Sequence, residues 1–134
     1  MIRVINVKGI APADRAGVCY VGRKCAGWPF TPYGNPYRFK VLDTPLPGSR
    51  HSRITSVEEA VAKFAAWFSA RPDFEPLLAD LWEACGRGDK PLGCWCVTGE
   101  YDPAAPVVCH AQVLAGFLRA RVLDGRLPPP DAAE

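Results

Sequence analysis

Three cysteines and one histidine in the C-terminal half are the residue types best suited to chemistry in this sequence. Cys94 and Cys96 stand two positions apart in a short apolar run, and Cys109 is followed directly by His110. Thiolates act as nucleophiles and metal ligands, and a nearby imidazole can accept a proton or serve as a further ligand. This group of four residues is therefore the first candidate for a functional site.

The predicted positions of these residues favour a site at one edge of a sheet. The run of residues 92–97 predicts a buried strand, and because side chains alternate between its two faces, Cys94 and Cys96 share a face. They lie near the carboxyl end of that strand, where open α/β sheets bind ligands. Cys109 opens the predicted last helix, whose N-terminal N–H groups favour a thiolate.

Three interpretations of the cysteines stay open. They are small buried side chains, because free cysteine is among the most buried residue types. Alternatively, Cys94, Cys96, Cys109 and His110 bind zinc, since three thiols and one imidazole match the ligand count of structural zinc. The C-x-C spacing and the adjacency of Cys109 and His110 count against that ion. In the third interpretation the thiols line a ligand site, with Cys96, Cys109 and His110 as catalytic residues.

The elements that hold these residues follow from hydrophobic period and end signals. Strands are predicted where apolar and β-branched residues alternate or run together, at residues 2–7, 18–21 and 92–97. A first helix begins at the capping box of Ser56 and Glu59. A second is capped by Asp73 and closed by Gly86. A third covers about residues 109–122.

This order of elements predicts an α/β fold, a single small layered domain with an open sheet and helices packed on it, over residues 1–127. The Pro-rich residues 128–134 are predicted to be a disordered tail. Residues 22–53 carry Gly and Pro throughout, and a loop of that length inside a compact domain is usually functional or contains short elements that the sequence does not reveal.

Composition points to an ordinary globular protein. Charged residues make up 22% of the 134 residues, and the sequence shows neither a signal-peptide pattern nor an apolar run of about 20 residues. We therefore expect a cytoplasmic location, reduced thiols and no membrane partner.

Charge is distributed unevenly along the chain. Residues 1–56 carry nine Lys or Arg against two Asp, whereas residues 57–134 carry seven basic and twelve acidic side chains. A basic first half suggests an anionic small molecule as partner, or nucleic acid as a less favoured one. A basic surface that is merely solvated is the alternative.

Signatures of the common enzyme classes are absent from the sequence. It contains no P-loop, no G-x-G-x-x-G, no G-x-S-x-G and no H-E-x-x-H. The carboxylates fall mainly on predicted helix surfaces, so no acid and base pair stands out.

Several short motifs, in this order, resemble a known family. They are Tyr20-Val-Gly-Arg23, Gly34-Asn35-Pro36, Ser56-Val-Glu-Glu-Ala60, Gly93-Cys-Trp-Cys96 and Cys109-His110. Together they are similar to an uncharacterised phage and bacterial family, domain-of-unknown-function family 4326, from Val4 to about Leu118. The resemblance implies a shared fold and no settled activity.

The resemblance also implies which residues form a pocket: Arg23, Asn35, Cys94, Cys96, Cys109 and His110. Arg23 would clamp a phosphate or carboxylate, with a surface ion pair as the alternative. Asn35 would hydrogen-bond a base or sugar, with a turn residue of left-handed backbone as the alternative. The chain departs from the family pattern in the twelve residues 97–108, which lengthen the segment before Cys109. It departs again at Val57, where an Arg is expected. If that Arg binds an anion in relatives, this chain must use another basic residue, such as Arg53.

The leading hypothesis is a domain that binds a nucleotide-like or phosphorylated small molecule at a Cys, His and Arg pocket. It extends to an enzyme that acts on this ligand through a cysteine and needs no cofactor. The alternatives are a zinc-binding structural or interaction module and a nucleic-acid accessory protein.

Overall fold

The computed structural model describes residues 2–24, 27–36, 57–95, 99–100, 104 and 109–130. Four strands lie in these residues: β1 (Arg3–Asn6), β2 (Cys19–Tyr20), β3 (Leu92–Cys94) and β4 (Gly99–Glu100). The helices are α1 (Val57–Ser69), α2 (Phe74–Ala84) and α3 (His110–Leu123), and a 3₁₀ helix spans Pro12–Gly17.

The strands form one sheet in the order β2-β3-β1-β4. β3 runs parallel to both β1 and β2, and β4 pairs antiparallel with β1. The α/β fold predicted from the sequence is confirmed. Because β1, β2 and β3 are parallel, their last residues, Asn6, Tyr20 and Cys94, lie at the same edge, which we call the carboxyl edge.

The helices cover one face of the sheet. α3 packs against β1 and β3 and also contacts α1 and α2. The fully buried side chains of this core come from all three helices and from the sheet, and they include Phe64, Phe68, Leu81, Trp82, Leu92 and Leu114. A smaller cluster is built from Val7, Tyr20 and Trp28, so the loop after β2 packs on the sheet as well.

The predicted helix ends meet different outcomes. Ser56, of the predicted capping box, lies outside the described residues. Asp73 is at the N-cap position of α2, but the prediction that its side chain caps the helix is wrong. Its carboxylate accepts hydrogen bonds from Arg71 instead, at 2.9 and 3.1 Å. Gly86 follows α2 with a φ of +62°, the left-handed backbone that ends helices.

Two short elements were not predicted from the sequence. The 3₁₀ helix and the two-residue β4 both fall in segments predicted to be irregular. Neither has the length that hydrophobic periodicity needs to become visible.

Among the residues that the structure describes, no helix combines the length and the apolar character that a membrane span requires.

The C-terminal segment is packed as far as residue 128. Leu127 belongs to the core, and the indole Nε1 of Trp82 donates to the carbonyl oxygen of Pro128 at 2.8 Å. The domain boundary at residue 127 and the disordered tail remain predictions, since residues 131–134 lie outside the described residues.

Candidate functional site

Two of the predicted site cysteines meet inside the protein. The Sγ atoms of Cys94 and Cys109 are 2.7 Å apart, and both are free thiols with 1% exposure. Cys94 ends β3, and Cys109 is the N-cap residue of α3. The contact therefore joins the carboxyl edge of the sheet to a helix N-terminus. With His110, these residues form what we call the thiol cluster.

His110 has a defined tautomer when neutral. Its Nε2 lies 2.7 Å from the carbonyl oxygen of Val21, and because a carbonyl only accepts, Nε2 carries the proton. Nδ1 is then an acceptor, and it lies 3.9 Å from the Sγ of Cys109. The imidazole and the ring of Phe64 make a T-shaped contact, with ring centroids 5.2 Å apart. The arrangement allows His110 to take the Cys109 proton.

Burial constrains what the thiol cluster can do. Cys94 and Cys109 are enclosed in the main core, so neither thiol is open to solvent. No group of three metal-binding side chains occurs among the described residues. Cys96, the fourth residue of the zinc alternative and a predicted catalytic residue, lies outside them, as does Arg53. The zinc alternative and the catalytic roles remain predictions.

A cavity of about 170 Å³ lies beside the carboxyl edge. We call it the Arg23 cavity. Its described lining residues are Arg23, Lys24, Phe30, Thr31, Gly34, Asn35 and Pro36. The lining thus includes two basic residues, an asparagine, a threonine and a phenylalanine.

Arg23 and Asn35, predicted from the sequence as ligand contacts, come together at this cavity. The guanidinium Nε of Arg23 donates to the backbone carbonyl of Asn35. Asn35 is buried, and its Nδ2 donates to the carbonyl of Ala60 in α1 at 3.2 Å. A Cβ on Gly34 would lie 3.1 Å from the carbonyl oxygen of Gly22, so glycine allows the two segments to approach. This packing fixes the guanidinium plane.

The thiol cluster and the Arg23 cavity are neighbours that share one strand end. His110 is hydrogen-bonded to the carbonyl oxygen of Val21, which stands two residues before Arg23. The thiols are not among the described residues that line the cavity. Of the predicted pocket residues that the structure describes, Arg23 and Asn35 line the cavity, whereas Cys94, Cys109 and His110 form the buried cluster.

The comparison with protein families matches this chain to Domain of unknown function (DUF4326) over residues 7–120. The chain belongs to this family. The DUF4326 match begins after β1 and ends within α3, so it contains both the Arg23 cavity and the thiol cluster. No curated protein and no solved structure matches the chain.

Sequence reasoning on this DUF4326 chain missed several residues at the site. Lys24 and Thr31 line the cavity, and Trp95, next to Cys94, is 46% exposed. One signal was available for Trp95. Strand alternation that places Cys94 and Cys96 on one face places the residue between them on the other.

We expect the described thiols to react slowly in the folded protein. Burial raises the pKa of Cys19 from 9.0 to about 11, which lowers its thiolate fraction about 100-fold near neutral pH. Burial also raises the pKa of Cys85, and Cys94 and Cys109 are enclosed. Mass spectrometry after iodoacetamide treatment should show these four modified mainly after denaturation. Alkylation of Cys109 at the same rate in folded and unfolded protein would contradict this.

Proposed function

We propose that this domain binds a nucleotide-like or otherwise phosphorylated small molecule in the Arg23 cavity. The observation that carries the proposal is that Arg23, Lys24 and Asn35 line one cavity at the carboxyl edge of a parallel sheet. Ligands of open α/β sheets bind at that edge. Paired cations favour an anionic group there.

The fixed guanidinium of Arg23 supports recognition of a phosphate or carboxylate. Because its Nε is held by the Asn35 carbonyl, the side chain is already oriented before a ligand arrives. A planar guanidinium binds such oxyanions through paired N–H groups, whereas an ammonium acts as a point charge. Lys24 is exposed and adds positive charge at the mouth of the cavity.

The cavity volume limits how much of a ligand it holds. Pockets that enclose drug-sized ligands usually measure about 300–1,000 Å³, and this one measures about 170 Å³. It therefore suits one charged group, with the rest of the molecule lying over its rim. Phe30, 74% exposed at that rim, offers an apolar surface for the remainder.

A larger cavity elsewhere is a weaker candidate. This second cavity has a volume of about 520 Å³, and its lining residues are Glu75, Pro76, Ala79, Arg121, Arg126 and Leu127. Its two cations already face carboxylates: Arg121 lies 2.6 Å from Glu75, and Arg126 lies 2.7 Å from Asp124. An incoming anion would have to displace these partners.

A second candidate function is a cysteine-dependent step on the bound ligand. The observation that favours it is the pairing of the Cys109 thiol with the acceptor Nδ1 of His110, the relation by which a base activates a nucleophile. The burial of Cys109 means that the ligand or the cavity wall would have to move for contact. Acceleration of Cys109 alkylation by the ligand would support this candidate.

Isothermal titration calorimetry with ribose 5-phosphate and inorganic phosphate tests the binding proposal. Removal of a hydrogen-bonded charge costs about 1.5–3 kcal/mol, so Arg23→Gln should raise the Kd for ribose 5-phosphate about tenfold or more. Lys24→Gln should raise it less. Arg119→Gln, which removes an exposed charge on α3, is the matched control and should change nothing.

Equal Kd values for Arg23→Gln and Arg119→Gln would contradict the proposal, as would no detectable binding to the native protein. Arg23→Lys keeps the charge without the planar fork, so an intermediate loss is expected. Thermal melting of each variant checks that the fold is intact.

A further inference from the structure

An exposed tryptophan lies at the same end of the sheet as the Arg23 cavity. The described residues contain three exposed large hydrophobic side chains: Phe30 at 74%, Trp95 at 46% and Leu123 at 70%. Single exposed apolar residues are ordinary. Phe30 lines the cavity, and Trp95 follows β3 at the same carboxyl edge, so two of the three are placed around the cationic site.

Hydrogen bonds hold Trp95 at both its main chain and its ring. Its carbonyl oxygen accepts from the Nδ2 of Asn6 at 3.3 Å, and its indole Nε1 donates to the hydroxyl of Tyr20 at 3.2 Å. Tyr20 is in turn stacked on Trp28, with ring centroids 4.8 Å apart and planes 25° apart. The indole is thus a fixed and partly exposed surface.

The same tyrosine connects Trp95 to the cationic cavity. The hydroxyl of Tyr20 donates to the carbonyl oxygen of Arg23 and accepts from the Trp95 indole. Two hydrogen bonds through this one hydroxyl therefore connect the indole nitrogen of Trp95 to the main chain of Arg23. The side chain of Arg23 lines the cavity, so this residue joins the hydrogen-bonded pair of Tyr20 and Trp95 to the cationic site.

We propose that Trp95 is the base-stacking residue of the site, so that the ligand is a mononucleotide whose phosphate lies at Arg23 and whose base lies on the indole. This inference rests on the proposed function and narrows it from phosphorylated molecules in general to those with an aromatic base. Stacking on an aromatic face tolerates different bases because each has a π surface. The charged cavity binds one end, and the fixed indole binds the other.

Calorimetry with adenosine 5′-monophosphate and ribose 5-phosphate separates the base from the phosphate. The native protein should bind the nucleotide about tenfold more tightly or better, the usual gain from one stacked base. In Trp95→Leu this ratio should fall to about one while the affinity for ribose 5-phosphate stays unchanged. Leu123→Ala removes an exposed apolar side chain on α3 and should preserve both affinities.

Equal affinities for the two probes in the native protein would overturn the stacking assignment, while an effect of Arg23→Gln would leave the proposed function standing. If the native protein bound neither adenosine 5′-monophosphate nor ribose 5-phosphate, the stacking assignment and the proposed function would both be overturned. Affinity that rises with the length of an oligonucleotide, with a steep dependence on salt, would assign the surface to nucleic acid instead.

A second measurement does not depend on a variant that folds. Nuclear Overhauser effects between the base protons of adenosine 5′-monophosphate and the indole protons of Trp95 should appear in the native complex. Contacts of the base only with other aromatic side chains would overturn the assignment of Trp95.

Discussion

Replacement of Phe64 by alanine is expected to lower the free energy of unfolding by about 3–5 kcal/mol. Phe64 is fully buried at the meeting point of α1 and α3. Its ring lies 5.4 Å from Phe68 and 5.2 Å from the His110 imidazole, centroid to centroid. The neighbouring rings are rigid and cannot fill the cavity that truncation leaves. The variant therefore loses both the hydrophobic transfer free energy of the side chain and its van der Waals contacts.

Urea denaturation followed by circular dichroism measures this loss. Phe30→Ala is the matched control, because it makes the same chemical change at an exposed position and should alter stability by no more than about 0.5 kcal/mol. Phe64→Leu should fall between them and remains measurable if the alanine variant is largely unfolded. A Phe64→Ala variant as stable as Phe30→Ala would contradict the packing described here.

The second large effect is expected at Gly93, where alanine should cost about 1–3 kcal/mol through overpacking. Gly93 lies in β3, the strand between β1 and β2. A Cβ there would lie 2.5 Å from a methyl carbon of Val18 and 2.6 Å from one of Val7. Both valines are branched at Cβ and have few alternative rotamers, so the strands themselves would have to shift.

Gly17→Ala provides the comparison for Gly93→Ala. A Cβ at Gly17 would meet no atom within 4 Å, so the change should be neutral or slightly stabilising through the unfolded state. Chemical denaturation of the two variants in parallel gives the difference. Equal stability of the two variants would show that the sheet has room at Gly93.

The parts of the fold that the sequence predicts are those with a repeating signal. The three helices and the strands β1, β2 and β3 were each marked by apolar periodicity or by a short apolar run, and the structure confirms them. The strand predicted over residues 92–97 is shorter than expected, because β3 ends at Cys94 and Trp95 lies outside it. β4 has only two residues, and its pairing with β1 depends on the whole sheet. Asp73 shows a different limit, because a neighbouring Arg71 competes for the carboxylate that would otherwise cap α2.

The sequence predicted which residues gather at the candidate site better than it predicted how they are placed relative to one another. Cys94, Cys109 and His110 were grouped from sequence, and they do meet. The twelve residues before Cys109 left its distance from the strand open. Pairing of Gly99 and Glu100 with β1 returns part of this segment to the sheet, so its added length does not separate the thiols.

The sequence did not predict that the thiol cluster and the Arg23 cavity would be separate. Spacing alone gave no way to tell that the thiols face the main core while Arg23 and Asn35 face a cavity. The hydrogen bond from His110 to the carbonyl of Val21 connects the thiol cluster to the strand end that precedes Arg23. It links residues that are 89 positions apart. Contacts of that range depend on tertiary packing and carry no local signal.

The central claim is that a phosphorylated ligand occupies the Arg23 cavity, and a ¹H–¹⁵N correlation spectrum recorded during titration with adenosine 5′-monophosphate tests it most directly. We expect saturable shifts that are largest at the backbone amides of Lys24, Thr31 and Asn35 and at the indole N–H of Trp95. Shifts confined to the residues around Glu75 and Arg121, or none at millimolar ligand, would contradict it.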